Sequence, residues 1–276
     1  MNKLPHIKIL VLNWNGGDII KKCLSSLFKI DYKNYSIDVI DNNSTDNSIQ
    51  IIKSEFPTVN LHINSKNLGY ANGYNTIFRK LKNEDFEYYF ILNNDTMVDK
   101  NVLKHLANNF SNFGKDNIYG PKINYLNNKN KIWYAGGYYN KFLGFTKHIG
   151  INKQEDRIKY KTVPTKYISG CSMLITKDLI NELGGFNSNY KMYYEDVDLC
   201  HRASLRNKKC YFIEDALVYH EVSYSIGQNS VKKFMIKIAS QAKFIYYNNN
   251  IIYFIISLFI NIIFLPLYII NNFIKR

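Results

Sequence analysis

The sequence predicts an α/β domain built on a mostly parallel central sheet flanked by helices. Through the first half of the 276-residue chain, strand and helix signals alternate in the order β-α-β-α-β-α-β, which is typical of a parallel sheet with helices packed against it. The strand segments are continuous apolar runs, as expected for strands covered on both faces. Each run ends in polar residues, and such sheets bind ligands outside the carboxyl ends of their strands.

The first strand is the apolar run Ile7–Asn13. Gly16, Gly17 and Asp18 then open a helix that reaches Phe28, with Asp18 predicted as its N-cap. The same criteria predict the following elements in order: a strand at 37–40, a helix at 45–56, a strand at 59–63, a Gly- and Asn-rich turn at 64–73, a helix ending near residue 81, and a strand at 88–92.

The second half reads differently, as hairpins and loops at 130–165 followed by mixed elements. The pattern predicts a strand pair at 167–176, a helix at 177–183 that ends at two glycines, a helix at 195–206, and strands at 209–213 and 217–220. We therefore expect one catalytic domain over 1–228 and a distinct C-terminal region over 229–276.

The composition limits the classes of molecule that this protein is expected to bind. The formal net charge is +14, which favours an anionic ligand or surface. No run of five or six basic residues occurs, so a nucleic-acid tail is not expected. The four cysteines form no C-x-x-C pair and lie in apolar surroundings, which predicts core residues in a reducing compartment.

Two acids follow buried strands. Asp41 begins the segment DNNSTD at 41–46, where it could accept hydrogen bonds from a base or ribose, although the segment also reads as an ordinary helix start. Asp95 ends the segment NND at 93–95, where it could hold a hard cation against a diphosphate, or could be a simple turn residue. Each pattern alone leaves both interpretations open.

A third acidic segment opens the predicted helix at 195–206. Glu195, Asp196 and Asp198 fall within four positions, more than the helix dipole needs. The dipole favours ionised acids, so Asp196 could accept a hydroxyl proton in a cleft. His220 ends the last predicted strand near the same sheet edge, where a metal or phosphate role competes with a structural one.

Taken in order, these segments resemble the family-2 inverting glycosyltransferases of the GT-A fold, particularly the rhamnosyltransferase-like branch of bacterial polysaccharide assembly. The matching text is VLNWNG at 11–16, DNNSTDNS at 41–48, NLGYANGYN at 67–75, FILNNDT at 90–96, SGCSMLI at 169–175, LGGFNSNYKMYYEDVDLCHR at 183–202, and the region of His220. The resemblance covers about residues 7–227.

The resemblance implies a role for each matching residue. Asp196 matches the catalytic base, with Glu195 beside it, and Asp95 and His220 match the positions that hold Mg²⁺ or Mn²⁺ and the diphosphate. Asn93 and Asn94 stand where stricter versions of the metal motif carry acids, so weak metal binding that relies on the donor's phosphates is implied. The residues predicted to bind the nucleotide sugar are Asn13, Asn15, Asp41, Asn43, Asn67, Gly69, Asn75, Asn94 and Arg202.

The implied reaction is transfer of a sugar from a nucleotide diphosphate donor to a hydroxyl of a glycan or polyprenyl-linked acceptor, with inversion. The branch resemblance favours dTDP-L-rhamnose as the donor and leaves UDP-hexoses open. Two other functions compete: a nucleotidyltransferase, whose basic phosphate loop is not found at 14–17, and a non-catalytic binding module, which would not need to keep Asp95 and Asp196.

The C-terminal region is expected to bind an anionic membrane surface. Residues 230–246 place apolar side chains at helical spacing with lysines largely off that stripe, and the stretch 251–270 carries no charge. Basic residues flank both ends, which favours an in-plane or re-entrant segment over a full crossing. The catalytic domain is then expected at the cytoplasmic face of the plasma membrane.

Overall fold

A computed structural model describes residues 4–155, 160–221, 230–257 and 259–260. The strands, numbered in chain order, are β1 (Ile7–Asn13), β2 (Tyr35–Asp41), β3 (Asn60–Ile63), β4 (Tyr88–Asn93), β5 (Thr96–Val98), β6 (Ile118–Tyr125), β7 (Asn128–Tyr134), β8 (Gly137–Tyr139), β9 (Thr146–His148), β10 (Val163–Thr165), β11 (Ser172–Thr176) and β12 (Cys210–His220). The helices are α1 (Gly17–Leu27), α2 (Ser48–Glu55), α3 (Gly69–Leu81), α4 (Val102–Asn108), α5 (Phe110–Phe113), α6 (Lys177–Leu183), α7 (Glu195–Ser204) and α8 (Ser230–Asn248).

The central sheet has the order β10-β12-β6-β11-β4-β1-β2-β3, with β5 paired to β12 and β7 to β6. Strands β3, β2, β1 and β4 run parallel, as the sequence predicts. Strand β11 is antiparallel to both of its neighbours, and β12 is parallel to β6. The result is a mixed α/β sheet that is largely parallel, which confirms the predicted fold class.

The parallel register brings the polar strand ends to one edge of the sheet. Asn13 pairs with Asp41, and Leu12 pairs with Asn93. Strand β5 turns back from that edge and pairs with β12, so that Thr96 lies opposite His220. Asp95 and His220, which are more than 120 residues apart in the sequence, therefore meet at this edge of the sheet.

Several element boundaries differ from the predictions. The N-cap of α1 is Gly16, and Asp18 lies in the first turn. Helix α3 begins at Gly69 rather than after Gly73, because Asn67 accepts a hydrogen bond from the Gly69 N–H at 2.8 Å and orders the turn. The two predicted final strands form one strand, β12, with an irregularity between Ile213 and Leu217.

The hydrophobic core fills both sides of the sheet, and the four cysteines are free and buried within it, as predicted. An aromatic cluster joins the early and late halves of the chain, since Phe186 packs against Tyr74 and Phe78 of α3 at ring distances of 5.8 and 6.0 Å. Within the described ranges, no helix is long and apolar enough to cross a membrane.

Helix α8 confirms the helical pattern predicted for 230–246, but part of its apolar stripe faces the protein. Phe244 and Ile245 are fully buried, and Phe244 packs against the rings of Tyr139, Tyr194 and His201. Met235, by contrast, is 53% exposed. The predicted uncharged stretch after α8 lies mostly outside the described residues.

Candidate functional site

A cavity of 1190 Å³ opens beside the carboxyl ends of the parallel strands. Strand ends supply one wall, the 167–171 segment and the start of α7 supply another, and α8 supplies a third. The sequence-predicted residues that line this cavity are Asn67, Gly69, Asn94, Asp95, Glu195, Asp196 and His220. The structure thus brings the predicted base and the predicted metal residues to one cavity.

Asp95 and His220 form a buried pair in the cavity wall. His220 Nε2 lies 3.1 Å from Asp95 Oδ1, and the Glu221 N–H donates to the Asp95 backbone carbonyl at 2.9 Å. The edge of Trp133 packs on the His220 ring at 4.6 Å. Burial lowers the pKa of His220, but Cys171 and the Asp95 carboxylate raise it, and the net shift is upward.

The two side chains fit a divalent cation. In the described parts of the chain, Asp95 Oδ1 and His220 Nδ1 are buried atoms that take part in no well-aligned hydrogen bond. One carboxylate with one imidazole leaves the remaining coordination positions to water or to phosphate oxygens, which usually complete the shell of a divalent cation bound to one or two carboxylates beside a phosphate group. Across the described ranges, no cluster of three or more His, Cys, Asp or Glu residues is arranged to bind a metal.

Asp196 lies in the first turn of α7 and is half-buried. Its Oδ2 accepts a hydrogen bond from the Gly170 N–H at 2.9 Å, and its Oδ1 accepts one from the Val197 N–H at 2.8 Å. Gly170 is needed here, since a Cβ would come within 2.6 Å of the Tyr70 hydroxyl, which itself donates to the Gly170 carbonyl. These contacts fix the carboxylate at the cavity surface.

The backbone before Asp196 is strained. Tyr193 and Tyr194 both adopt positive φ, at 66° and 71°, a conformation that is uncommon for bulky residues. The Tyr194 hydroxyl donates to the Gly144 carbonyl at 2.6 Å and anchors the segment. Such strain persists where surrounding contacts enforce it, and it clusters at functional sites. Here it turns the start of α7 toward the cavity.

The neighbouring acids Glu195 and Asp196 have different surroundings. Burial, together with the charge of Asp196, raises the pKa of Glu195 to about 8, and Glu195 Oε2 finds no hydrogen-bond partner in the described structure. Burial also raises the pKa of Asp196, but the N–H groups of Gly170 and Val197 oppose the shift by stabilising the carboxylate. At neutral pH this favours a protonated Glu195 beside an ionised Asp196.

Beneath the cavity, the predicted ribose-binding acid is held in an internal network. Asn13 Nδ2 donates to Asp41 Oδ2 at 2.7 Å, and Ser44 donates to both Asp41 oxygens at 2.7 Å. Asn94 Nδ2 donates to Asn13 Oδ1 at 2.8 Å. Asn13 and Asp41 are fully buried and do not line the cavity. They fix Asn94, which does.

Of the remaining predicted nucleotide-sugar residues, Asn15 and Asn75 make structural contacts. Asn15 Oδ1 accepts from the Thr45 N–H at 2.8 Å, and Asn43 is exposed with φ of 61°. Asn75 pairs with both backbone groups of Phe186, at 2.7 and 2.9 Å. None of these three side chains lines the cavity.

Arg202, which is predicted to bind the nucleotide sugar, is held by groups of the protein itself. Its guanidinium donates to the Asp198 carboxylate at 2.7 Å and to the carbonyls of Leu183 and Gly185 at 2.7 and 2.9 Å. The planar guanidinium group is therefore committed to the turn between α6 and α7 and does not line the cavity. The sequence spacing on α7 predicts that Arg202 lies near Asp196. In the structure, the Arg202 side chain instead leaves the helix on the face that carries Asp198.

Cavity residues beyond the sequence predictions include Trp14, which is 44% exposed, and several side chains of α8. The indole of Trp14 stands at the end of β1, where a flat ring is suited to stack on a nucleobase. A tryptophan directly after an apolar strand segment is a signal that the sequence alone contains. The α8 contribution has no comparable local signal, because it depends on how a distant helix docks.

Comparison with known proteins identifies relatives. The model of the family described as Glycosyl transferase family 2 matches residues 8–184. N-acetylglucosaminyl-diphospho-decaprenol L-rhamnosyltransferase of Mycobacterium tuberculosis is 22% identical over 240 residues, which are 81% of this chain and 78% of that protein. Poly-beta-1,6-N-acetyl-D-glucosamine synthase of Staphylococcus aureus is 23% identical over 234 residues, which are 82% of this chain and 52% of that protein.

Solved structures share the fold. GalNAc-T7 with UDP, GalNAc and Mn²⁺ superposes with a TM-score of 0.70 at 18% identity, over 89% of this chain and 48% of that one. The mannosyltransferase PcManGT from Pyrobaculum calidifontis with GDP-Man and Mn²⁺ gives a TM-score of 0.62 at 13% identity, over 88% and 64% of the two chains. This chain thus spans about half to two thirds of the length of these structural neighbours.

Proposed function

Because the chain belongs to glycosyltransferase family 2 and has the GT-A fold, we propose that it transfers L-rhamnose from dTDP-L-rhamnose to a hydroxyl of a glycan or lipid-linked acceptor, with inversion, in cell-surface polysaccharide assembly. The observation that carries the proposal is the single cavity onto which Asp196 opens from one wall and Asp95 and His220 from another. A base and a diphosphate-binding pair on separate walls leave room between them for a sugar.

The residues have distinct tasks in the proposed reaction. Asp196 accepts the proton of the acceptor hydroxyl while that oxygen forms a bond to the anomeric carbon of the donor sugar. The bond between the anomeric carbon and the diphosphate oxygen breaks, and the nucleoside diphosphate leaves with the electron pair. The transition state resembles an oxocarbenium ion. Asp95 and His220 would hold Mg²⁺ or Mn²⁺, which when bound neutralises charge on the departing diphosphate.

The wall of the cavity that is formed by the strand ends supports the proposal that the donor binds there. Trp14, Asn67 and Gly69 lie on the part of the cavity formed by the ends of β1 and β2 and the start of α3. Asn42 Nδ2 donates to the Gly69 carbonyl at 3.0 Å and ties these segments together. The mycobacterial relative named as a rhamnosyltransferase supports rhamnose, while the neighbour that holds UDP keeps UDP-hexoses as the alternative donor class.

A donor screen tests the sugar. We expect the full chain with Mn²⁺ to hydrolyse dTDP-L-rhamnose faster than UDP-N-acetylglucosamine, UDP-glucose or GDP-mannose when release of nucleoside diphosphate is measured. A preference for a UDP-sugar would reject rhamnose and retain the family. Heat-inactivated protein supplies the background rate of donor breakdown.

The stereochemistry of the product is a separate expectation. Asp196 is placed to act as a base, and burial raises the pKa of Glu195 to about 8, so neither acid is proposed as a nucleophile. The acceptor oxygen then displaces the diphosphate in one step, and a single displacement inverts the configuration of the anomeric carbon. A β-linked sugar nucleotide should thus give an α-linked product, read from the anomeric carbon–proton coupling by NMR. Retention of configuration would require a covalent intermediate and would overturn this mechanism.

The membrane proposal concerns the face of the chain at and beyond the end of α8. Exposed apolar residues gather there: Tyr246, Tyr247, Ile251, Ile252, Ile255, Ile256 and Phe259. Together with the net charge of +14, this patch suits an anionic bilayer at the cytoplasmic face of the plasma membrane. Removing α8 itself would uncover the core, because Phe244 and Ile245 are buried, so the test must leave α8 intact.

Replacing Ile251, Ile252, Ile255 and Ile256 by serine should weaken the affinity for phosphatidylglycerol vesicles, measured by co-sedimentation, by well over tenfold, since each fully buried apolar side chain contributes about 1.5–3 kcal/mol. Leu205→Ser is the matched control, because Leu205 is 68% exposed at the C-terminal end of α7, away from this patch. Equal sedimentation of the quadruple variant and the unmodified protein would reject the patch as a membrane contact.

A further inference from the structure

One wall of the cavity is basic and belongs to α8. Lys233 and Lys237 both line the cavity, together with Gln241. These residues are spaced four apart on the helix, so they occupy one face, with neighbouring Cβ atoms about 5–6 Å apart. Two cations one turn apart present a surface whose width suits a phosphate or diphosphate group.

Helix α8 is fixed in this position by contacts with the segments around the predicted base. Ser240 donates to the Met192 carbonyl at 2.7 Å, and Gln241 donates to the Leu143 carbonyl at 2.7 Å. Phe244 packs on the ring of Tyr194, the residue that precedes the Glu195-Asp196 pair. The lysines are therefore held by the same part of the molecule that positions Asp196.

The two lysines of this wall form no ion pair with any acid in the part of the chain that the structure describes. Desolvation in the cavity lowers the pKa of Lys237, and the charge of Asp196 opposes that shift. Helix α8 contacts Met192 and Tyr194, which come just before Asp196 in the chain, so these lysines lie on the side of the cavity that holds the predicted base.

We propose that Lys233 and Lys237 bind the phosphate of the acceptor, so that the acceptor is a phosphate- or diphosphate-bearing glycan whose attacking hydroxyl reaches Asp196. This inference rests on the proposed function, because it assigns the substrate class of that same site. It also explains why a helix outside the matched family region of 8–184 reaches into the cavity. An anionic acceptor would bridge the basic wall and the carboxylate base.

The test measures acceptor binding with the donor side filled by dTDP and Mn²⁺. Three probes are compared: N-acetylglucosamine 1-diphosphate carrying a short prenyl chain, N-acetylglucosamine 1-phosphate, and octyl N-acetylglucosaminide, which has no phosphate. We expect the protein to bind both phosphate probes at least about tenfold more tightly than the neutral one, since hydrogen bonds between charged groups are stronger than those between neutral groups. If both phosphate probes bind more tightly than the neutral one, a further gain for the prenyl probe indicates a lipid-linked source, whereas a gain for the prenyl probe alone counts against phosphate recognition.

Lys233→Met and Lys237→Met keep the apolar stems of the side chains and remove their charges. Each should weaken binding of the phosphate probes about tenfold and leave the neutral probe unchanged, whereas Lys237→Arg should retain binding. Lys53→Met is the matched control, because Lys53 is exposed on α2 and does not line the cavity.

Three results would overturn the inference: no preference of the unmodified protein for phosphate probes, unchanged phosphate binding in both Lys233→Met and Lys237→Met, or an equal loss in Lys53→Met. Donor hydrolysis by each variant is measured in parallel. Hydrolysis retained alongside unchanged phosphate binding rejects only the basic wall. Absence of hydrolysis and transfer with every sugar nucleotide rejects the proposed function instead.

Discussion

Asp196→Asn should slow sugar transfer by about 10²–10⁴-fold, the usual contribution of a general base. Asparagine keeps the shape of the side chain, and its carbonyl oxygen can still accept a hydrogen bond from the Gly170 or Val197 N–H group, but its amide cannot take the acceptor proton. Donor binding, measured as the Kd for the sugar nucleotide, should change little. Burial raises the pKa of Asp196, so the unmodified enzyme should also lose kcat/KM as the pH falls through that raised value.

Glu195→Gln is the matched control for this substitution. Glu195 is adjacent, buried and, with a pKa of about 8, mostly protonated at neutral pH, so glutamine imitates its neutral form. We expect this variant to keep turnover within a few-fold of the unmodified protein at pH 7. Near-normal turnover in Asp196→Asn together with a dead Glu195→Gln would show that the base is Glu195.

The second large effect is expected at Asp95. Asp95→Ala removes the carboxylate of the Asp95–His220 pair and should reduce turnover by at least about 10²-fold, since a bound cation stabilises the leaving diphosphate by several kcal/mol. Excess EDTA should cause a loss of similar size in the unmodified protein. Added Mn²⁺ should restore that protein and fail to restore the variant.

Asp85→Ala serves as the control for this substitution, because Asp85 is exposed and does not line the cavity. It should retain turnover and the same response to EDTA as the unmodified protein. Full activity of the unmodified protein in excess EDTA would contradict the metal-dependent account. In that case the loss in Asp95→Ala would have to be explained by disturbance of His220, its 3.1 Å neighbour.

The first half of the fold was predictable because its signals are local. Apolar runs such as Ile7–Asn13 and Tyr88–Asn93 are buried on both faces, so each is visible in a short window. Parallel pairing then aligns their polar ends, which is why Asp95 could be expected at the cavity from its position after β4. The position of His220 could not be predicted from a local pattern in the same way, since it depends on the pairing of β5 with β12.

Other features depend on packing that no local pattern encodes. The buried network of Asn13 and Asp41 looks the same in sequence as an exposed ligand-binding turn, and only the hydrogen bonds to Ser44 and Asn94 separate the two. Arg202 lies on the same helix as Asp196, yet the carbonyls of Leu183 and Gly185 occupy its guanidinium. The apolar stripe of α8 likewise gives no sign of whether it meets lipid, core or cavity.

The most direct test of the central claim is the identity of the released product. The full protein is incubated with Mn²⁺, the panel of sugar nucleotides and the prenyl diphosphate acceptor, and the nucleotide products are separated by ion-exchange chromatography. Glycosyl transfer at the Asp196 cavity predicts one nucleoside diphosphate released for each sugar joined to the acceptor, with both products lost in Asp196→Asn. Release of pyrophosphate would instead show a nucleotidyltransferase, and release of nucleoside diphosphate unchanged in Asp196→Asn would contradict the proposed mechanism.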